Sequence, residues 1–212
     1  MSKHIPLLLI GGGGHASVLA EILLGQGREI LAVVSPDDLS SRAVFSGLRH
    51  LTQDEEVGRF SPDSVFLVNG IGMLPHSTLR QRMTQKFLEL GYQFETVVAS
   101  DAHVSRFATI RCGVQILSGA RVQTGARIED HTIVNSCAVI EHDCQIGFNN
   151  HIAPNATLCG HVVSENQVFI GAGATILPGI NLGQNSIVGA GVTILRNVPA
   201  EAVVVGKQNS YL

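Results

Sequence analysis

Residues 139–154 read VIEHDCQIGFNNHIAP, and in this aliphatic run stand two histidines, His142 and His151, with Asp143 directly after the first. An imidazole titrates near neutrality and can take a proton from an attacking nucleophile; a carboxylate beside it orients the ring and makes it a better base. That pairing suits any reaction in which an attacking nucleophile must lose a proton. On spacing alone, a surface imidazole at a turn accounts for His142 equally well. Orientation decides between the two, and orientation comes from the scaffold.

Every sixth residue from Val104 to Ile194 is valine, isoleucine or leucine, with Ser164 as the exception. Four residues after many of these stands an alanine, as at Ala108, Ala120, Ala126, Ala138, Ala156 and Ala174. A helix has a period near 3.6 and an ordinary strand a period of about 2, so a strict six marks the hexapeptide parallel β-helix. Each hexapeptide is then one short strand plus one corner. Three make a triangular coil of eighteen residues, and coils stack about 4.8 Å apart. The repeat predicts roughly five coils around aliphatic ladders. Ser164 is expected to be a tolerated hydroxyl bonded to backbone. In this frame His142 and Asp143 fall second and third after Ile140, where the chain leaves the core for a corner, and both should face outward onto a flank where another subunit can pack. His151 precedes Ile152 and also lies outside the prism, whereas Cys144 takes an inward small position. One coil beyond Asp143 is His161, so the carboxylate could pair with either histidine or bridge both.

The first half follows different periods. IPLLLI (5–10), EILAVV (29–34) and DSVFLVNG (63–70) read as strands, and SVLAEILLGQG (17–27) and STLRQRMTQKFLELG (77–91) as helices ending in glycine. Strands alternating with helices predict a small parallel α/β sheet. The chain thus divides into a Rossmann-like domain over residues 1–99 and a β-helix with a C-terminal tail over 100–212. Between the first strand and helix, GGGGHAS fits G-x-G-x-x-A through Gly11, Gly13 and Ala16, a dinucleotide fingerprint that is weak alone. A redox cofactor would call for an acid at the end of the second strand, where AVVSPDD has Ser35 and Pro36.

A net charge of −3 and the lack of any Lys/Arg block argue against a nucleic-acid binder. The four cysteines form no C-x-x-C pair and read as reduced residues of a cytoplasmic protein. The apolar run IPLLLI is too short for a signal sequence or a membrane span, so no membrane association is expected.

Taken together, GGGGH near the start and VNSCAVIEHDCQIG in the coils resemble the sialic-acid O-acetyltransferase type of bacterial sugar acyltransferases, a group that includes the N-acetyltransferases of nucleotide-linked 4-amino-4,6-dideoxy sugars. The resemblance implies a left-handed helix, a homotrimer, acetyl-CoA bound along the coils between subunits, and a nucleotide-sugar held by the amino-terminal domain. By that resemblance His142 is the general base, Asp143 supports it, and His151 contacts acetyl-CoA. Ala172 and Ala190 offer backbone contacts to the cofactor. Gly13, Gly14 and His15 approach phosphate or sugar at a helix N-terminus, and Gly70 and Gly72 line the same rim. The family's acidic pair that binds the base aligns near Ser35 and Pro36, so either Asp37 and Asp38 substitute or the substrate differs. The tail departs from the family at Lys207 and Gln208, and Lys207 is a candidate for the CoA phosphates.

The expected activity is acetyl-CoA-dependent acetylation of the amino group of a nucleotide-linked sugar in surface-polysaccharide biosynthesis, with a sialic-acid hydroxyl as the alternative acceptor. A zinc enzyme of the γ-carbonic-anhydrase type would need a histidine pair five apart, and none of the nine histidines is so spaced, so no metal is expected. A non-catalytic trimeric scaffold and a nicotinamide oxidoreductase are the remaining alternatives; the latter leaves the long β-helix unexplained.

Overall fold

A computed structural model of the chain describes residues 5–206, which form two compact units divided at residue 100. Lys207 and Gln208 lie outside the described residues. Among the described residues no helix is long and apolar enough to cross a membrane.

The first unit runs β1 (Leu7–Ile10), α1 (Gly14–Gly25), β2 (Ile30–Val34), β3 (Arg49–Leu51), β4 (Phe66–Asn69) and α2 (Leu79–Glu89). All four strands are parallel, in the order β3-β2-β1-β4. Three of them fall inside the expected runs, trimmed at their ends; β3 has only three residues and too little alternation to be legible. Leu8, Ile10, Ala32, Val34, Leu67 and Phe87 form the core of this unit. Because the chain leaves β1 for β2 on one side and later returns to β4 on the other, the sheet has a switch point between β1 and β4. The carboxyl ends of strands diverge there and open a crevice.

In the second unit the sequence period appears as register. Two-residue strands pair in parallel with partners eighteen residues on, as in Ile133↔His151, Val139↔Thr157 and Gln145↔Val163 on the three successive faces. Ile116, Val122, Ile128, Val134, Ile140 and Leu158 are fully buried, and burying each such side chain is worth roughly 1.5–3 kcal/mol. At the corners, every sixth residue from Gly113 to Gly191 has φ between 50° and 73°. That left-handed conformation favours Gly, Asn and Asp, which is why these residues crowd the repeat. Asp143 and His161 occupy this position with φ of 60° and 61°.

Cys144 points inward and is fully buried; its thiol donates to the Cys159 carbonyl oxygen at 3.1 Å, and burial pushes its pKa up to about 11. Ser164 is buried as well, but its partner is not the backbone. Its hydroxyl oxygen accepts from Asn150 Nδ2 at 2.6 Å, while Asn150 Oδ1 accepts from the Val168 N–H at 2.6 Å. The lone polar residue in the aliphatic series is therefore half of a side-chain pair, which position-by-position reading of the repeat does not reveal.

Removing the Asn150 amide strands both the Val168 N–H and the Ser164 hydroxyl inside the prism. Asn150→Ala is expected to destabilise the protein by about 1–3 kcal/mol, measured by denaturant unfolding against the parent.

Candidate active site

Each coil turns from its second to its third face through a two-residue corner. In successive coils these corners are Thr124–Gly125, His142–Asp143, Gly160–His161 and Pro178–Gly179. Backbone bonds stack them directly: Asp143 N–H donates to the Thr124 carbonyl at 3.1 Å, and His161 N–H to the His142 carbonyl at 3.0 Å. The side chains inherit this register. His142 Nδ1 lies 2.8 Å from Asp143 Oδ2, and His161 Nε2 lies 3.7 Å from the same oxygen. The first is a hydrogen bond and the second is too long to be one, so Asp143 pairs with its sequence neighbour. A carboxylate accepts, so Nδ1 carries the proton and Nε2 keeps its lone pair. The His142 and His161 rings meet edge to face with centroids 5.2 Å apart.

Glycines on either side make room for this pair. A β-carbon at Gly125 would strike the Asp143 carboxylate. At Gly160 it would stand 2.6 Å from Cε1 and Nε2 of His142, with only His142 atoms among its nearest neighbours. Gly160 does not have the left-handed φ that favours glycine. By contrast, a β-carbon at Gly147, Gly171 or Gly183 would collide with the backbone of the following coil. Those three serve stacking, while Gly160 forms the floor on which the imidazole lies. Adding one coil to His142 would have located it.

His151 lies elsewhere. It opens the strand His151–Ile152 on the first face of its coil, opposite the corner that carries His142, so one chain does not bring the two histidines together. It is buried and meets Phe169 edge to face at 5.1 Å. Asn135, which the sequence reading passed over, holds it. Asn135 Oδ1 accepts from the Ser136 N–H at 2.8 Å, which turns Nδ2 toward His151 Nε2 at 3.1 Å. Nε2 must then accept and Nδ1 carries the proton, which makes His151 a donor. Ala172 and Ala190 are exposed at stacked corners leaving this same face, linked by the Gly191 N–H to Ala172 carbonyl bond at 2.8 Å.

In the first unit, a cavity of about 540 Å³ opens at the switch point. Gly13, Gly14, His15, Ser35, Asp37, Gly70 and Gly72 all line it, together with Asp54, Leu74 and Met83, to which no motif points. Gly13 caps α1, whose first residues are Gly14 and His15, so the partial positive charge of the helix N-terminus faces the cavity. Among the described residues no lysine or arginine lines it. Of the two acids offered as substitutes, Asp37 is at the wall and Asp38 is not. Asp38 accepts from the Ser40 hydroxyl and N–H at 2.7 and 2.9 Å, and these bonds hold its pKa below the usual carboxylate value. Arg80 is buried behind the wall, donating to the carbonyls of Asn69 at 2.9 Å and Ile71 at 2.6 Å; desolvation pulls its pKa down to about 9. It fixes the turn that carries Gly70 and Gly72.

Residues 162–196 match the family described as hexapeptide repeat of succinyl-transferase. PerB from Caulobacter crescentus, in complex with CoA and GDP-perosamine, superposes with a TM-score of 0.85 at 30% identity, covering 95% of this chain and 94% of that one. The acetyltransferase domain of PglB from Neisseria gonorrhoeae, in complex with acetyl coenzyme A, gives 0.87 at 27% identity, covering 96% and 97%. The chain belongs to the family of bacterial hexapeptide-repeat acyltransferases that includes the nucleotide-amino-sugar N-acetyltransferases. Its fold class is theirs, a small parallel α/β unit followed by a left-handed parallel β-helix. Among curated relatives, the GDP-perosamine N-acetyltransferase of Escherichia coli O157:H7 is 30% identical over 118 residues, 56% of this chain and 53% of that protein. The serine acetyltransferase of Synechococcus elongatus is 36% identical over 110 residues, 50% of this chain and 43% of that protein. The chain thus spans about half the length of these two relatives.

Gly160→Ala is expected to melt close to the parent, because the side chain it meets can swing away. A crystal structure of the variant should show His142 turned off Asp143. A large fall in melting temperature would instead assign Gly160 to the backbone.

Proposed function

We propose that this chain transfers the acetyl group of acetyl-CoA to the amino group of a nucleotide-linked sugar, with His142 as general base. The observation that carries this reading is the 2.8 Å hydrogen bond from His142 Nδ1 to Asp143, which leaves Nε2 as the basic nitrogen. The sugar amine attacks the thioester carbonyl while Nε2 takes its proton, and Asp143 stabilises the resulting imidazolium. The tetrahedral intermediate then expels CoA thiolate, which takes up a proton as the amide forms. We assign His151 to the cofactor, in contact with acetyl-CoA beside its acetyl group. The perosamine N-acetyltransferase of Caulobacter crescentus, crystallised with CoA and GDP-perosamine as asparagine and alanine variants of one histidine, supports a histidine in this chemistry.

The cavity of the first unit suits the nucleotide-sugar. The helix N-terminus at Gly13 would receive phosphate in place of a cationic side chain, and Asp37 offers a carboxylate to the N–H edge of a base. Ala172 and Ala190 leave an open corner along which pantetheine can meet backbone groups. Because His142 and His151 sit on opposite sides of one coil, the reaction needs them from different chains, which supports a homotrimer with sites between subunits. A cytoplasmic setting fits the supply of both acetyl-CoA and nucleotide-sugar.

His142→Ala should lower kcat by about 10²–10⁴ with assembly intact, followed as thiol release from acetyl-CoA across a panel of UDP-, dTDP-, GDP- and CMP-linked amino sugars. An unchanged rate removes His142 from the chemistry, and a preference for free sialic acid moves the acceptor from nitrogen to oxygen. Sharing of the site is tested by mixing. When His142→Ala and His151→Ala chains, each of low activity, are co-assembled in equal amounts, about a quarter of the interfaces in a three-fold assembly regain both histidines. Recovery near that fraction of parental activity is expected, and no recovery would place both histidines in one chain's site.

A further inference from the structure

The corner that carries the dyad holds more than general-base catalysis uses. His161 brings a second imidazole to the carboxylate of Asp143, with Nε2 at 3.7 Å, beyond hydrogen-bond length. One donor atom from each of His142, Asp143 and His161 lies within 4.8 Å of the other two. Among the described residues the ion-pair partners of Asp143 are these two histidines, with no lysine or arginine on it. Glu141 adjoins the corner and adds negative charge.

We infer that His142, Asp143 and His161 form a binding site for a borderline-soft divalent ion such as zinc, and that its occupation switches the enzyme off. Three donors bound at about 2.0–2.1 Å in a tetrahedral shell stand about 3.3 Å from one another. The two separations at Asp143 Oδ2, 2.8 and 3.7 Å, bracket that value. In a single chain all three side chains are half or more exposed, while the backbone bond from His161 N–H to the His142 carbonyl holds the two corners in register. Two imidazoles and a carboxylate are the donor types zinc takes, and a water would complete the shell.

The effect on chemistry follows from the tautomer, given the reading of His142 as base. In the dyad the ring proton is on Nδ1 and the lone pair is on Nε2. An ion at Nδ1 takes the lone pair there, and the single ring proton of the neutral imidazole moves through solvent to Nε2. His142 then has no lone pair to offer the sugar amine. No proton is gained or lost by the ring, and the carboxylate exchanges a hydrogen bond for a metal bond. His161 contributes to the ion and not to the reaction.

The test is zinc titration of tag-free protein by calorimetry without substrate, beside acetyl-transfer rates at matched zinc concentrations. One ion per chain is expected. His161→Asn should weaken binding by about tenfold or more and shift the inhibition curve by the same factor, with its zinc-free rate near the parent's. Chelation should restore the parent's activity. Parent-like zinc affinity in His161→Asn, or in His142→Ala, would overturn the site. Zinc binding at these residues without loss of activity would overturn inhibition through His142 and the general-base reading beneath it. Loss of activity in His142→Ala with no zinc binding to the parent would overturn the metal site alone.

Discussion

The backbone ladder that stacks one coil on the next sets everything else in the second unit. Each coil contributes two-residue strands whose N–H and C=O groups are satisfied eighteen residues away, and the corner between strands closes through one left-handed residue. With the ladder intact, a side chain's position around the prism is determined by its place in the hexad, and its height by its coil. His142 and Asp143 meet at 2.8 Å because they are consecutive at one corner, with stacked corners above and below. An insertion of one residue within a coil would carry every following aliphatic side chain out of the core and separate the corners. Few folds couple the hydrophobic effect so directly to the placement of polar groups on the outside.

That coupling explains why glycine has two uses here. At Gly147, Gly171 and Gly183 a side chain would enter the backbone of the next coil, so glycine there lets the ladder close. At Gly160 the ladder makes no such demand, and the missing β-carbon instead admits an imidazole. Polar residues divide in the same way. Asn150 and Ser164 face inward and satisfy each other within the aliphatic prism, whereas Asn135 faces outward and sets the tautomer of His151. The same residue type in the same repeat does different work according to the side of the strand it occupies.

Periodicity made much of this legible. A strict six from Val104 to Ile194 specifies the β-helix, its inward side chains and the outward positions of His142, Asp143 and His151. Adding eighteen put His161 on the face of Asp143, and the structure separates the two pairings that spacing left open, 2.8 Å against 3.7 Å. What stayed hidden depended on contacts off the repeat. Asn135 reaches His151 diagonally across strands, Ser164 finds a side-chain partner, and Arg80 reaches from a helix to the carbonyls of Asn69 and Ile71. In the first unit, GGGGH and the strand ends led to one cavity, but Asp54, Leu74 and Met83 reach it from segments distant in sequence. Local pattern predicts the elements; closure of a pocket depends on how non-adjacent segments converge.

The prism interior is filled with aliphatic side chains, so chemistry on this scaffold must take place on its outer surface. An imidazole and carboxylate about half exposed, as His142 and Asp143 are at 51% and 50%, form a dyad that water screens and competes for. Catalysis of acyl transfer is more effective where solvent is excluded and donors are held in place. On the proposed reading one chain cannot provide both conditions, because His151 is on the opposite face. Packing a second copy against the corner would remove water from the dyad and bring a His151 to it in one step. On the proposed function, the register that spreads polar groups over three faces would also give the protein a reason to assemble, with packing between copies and completion of the site arising from the same contact.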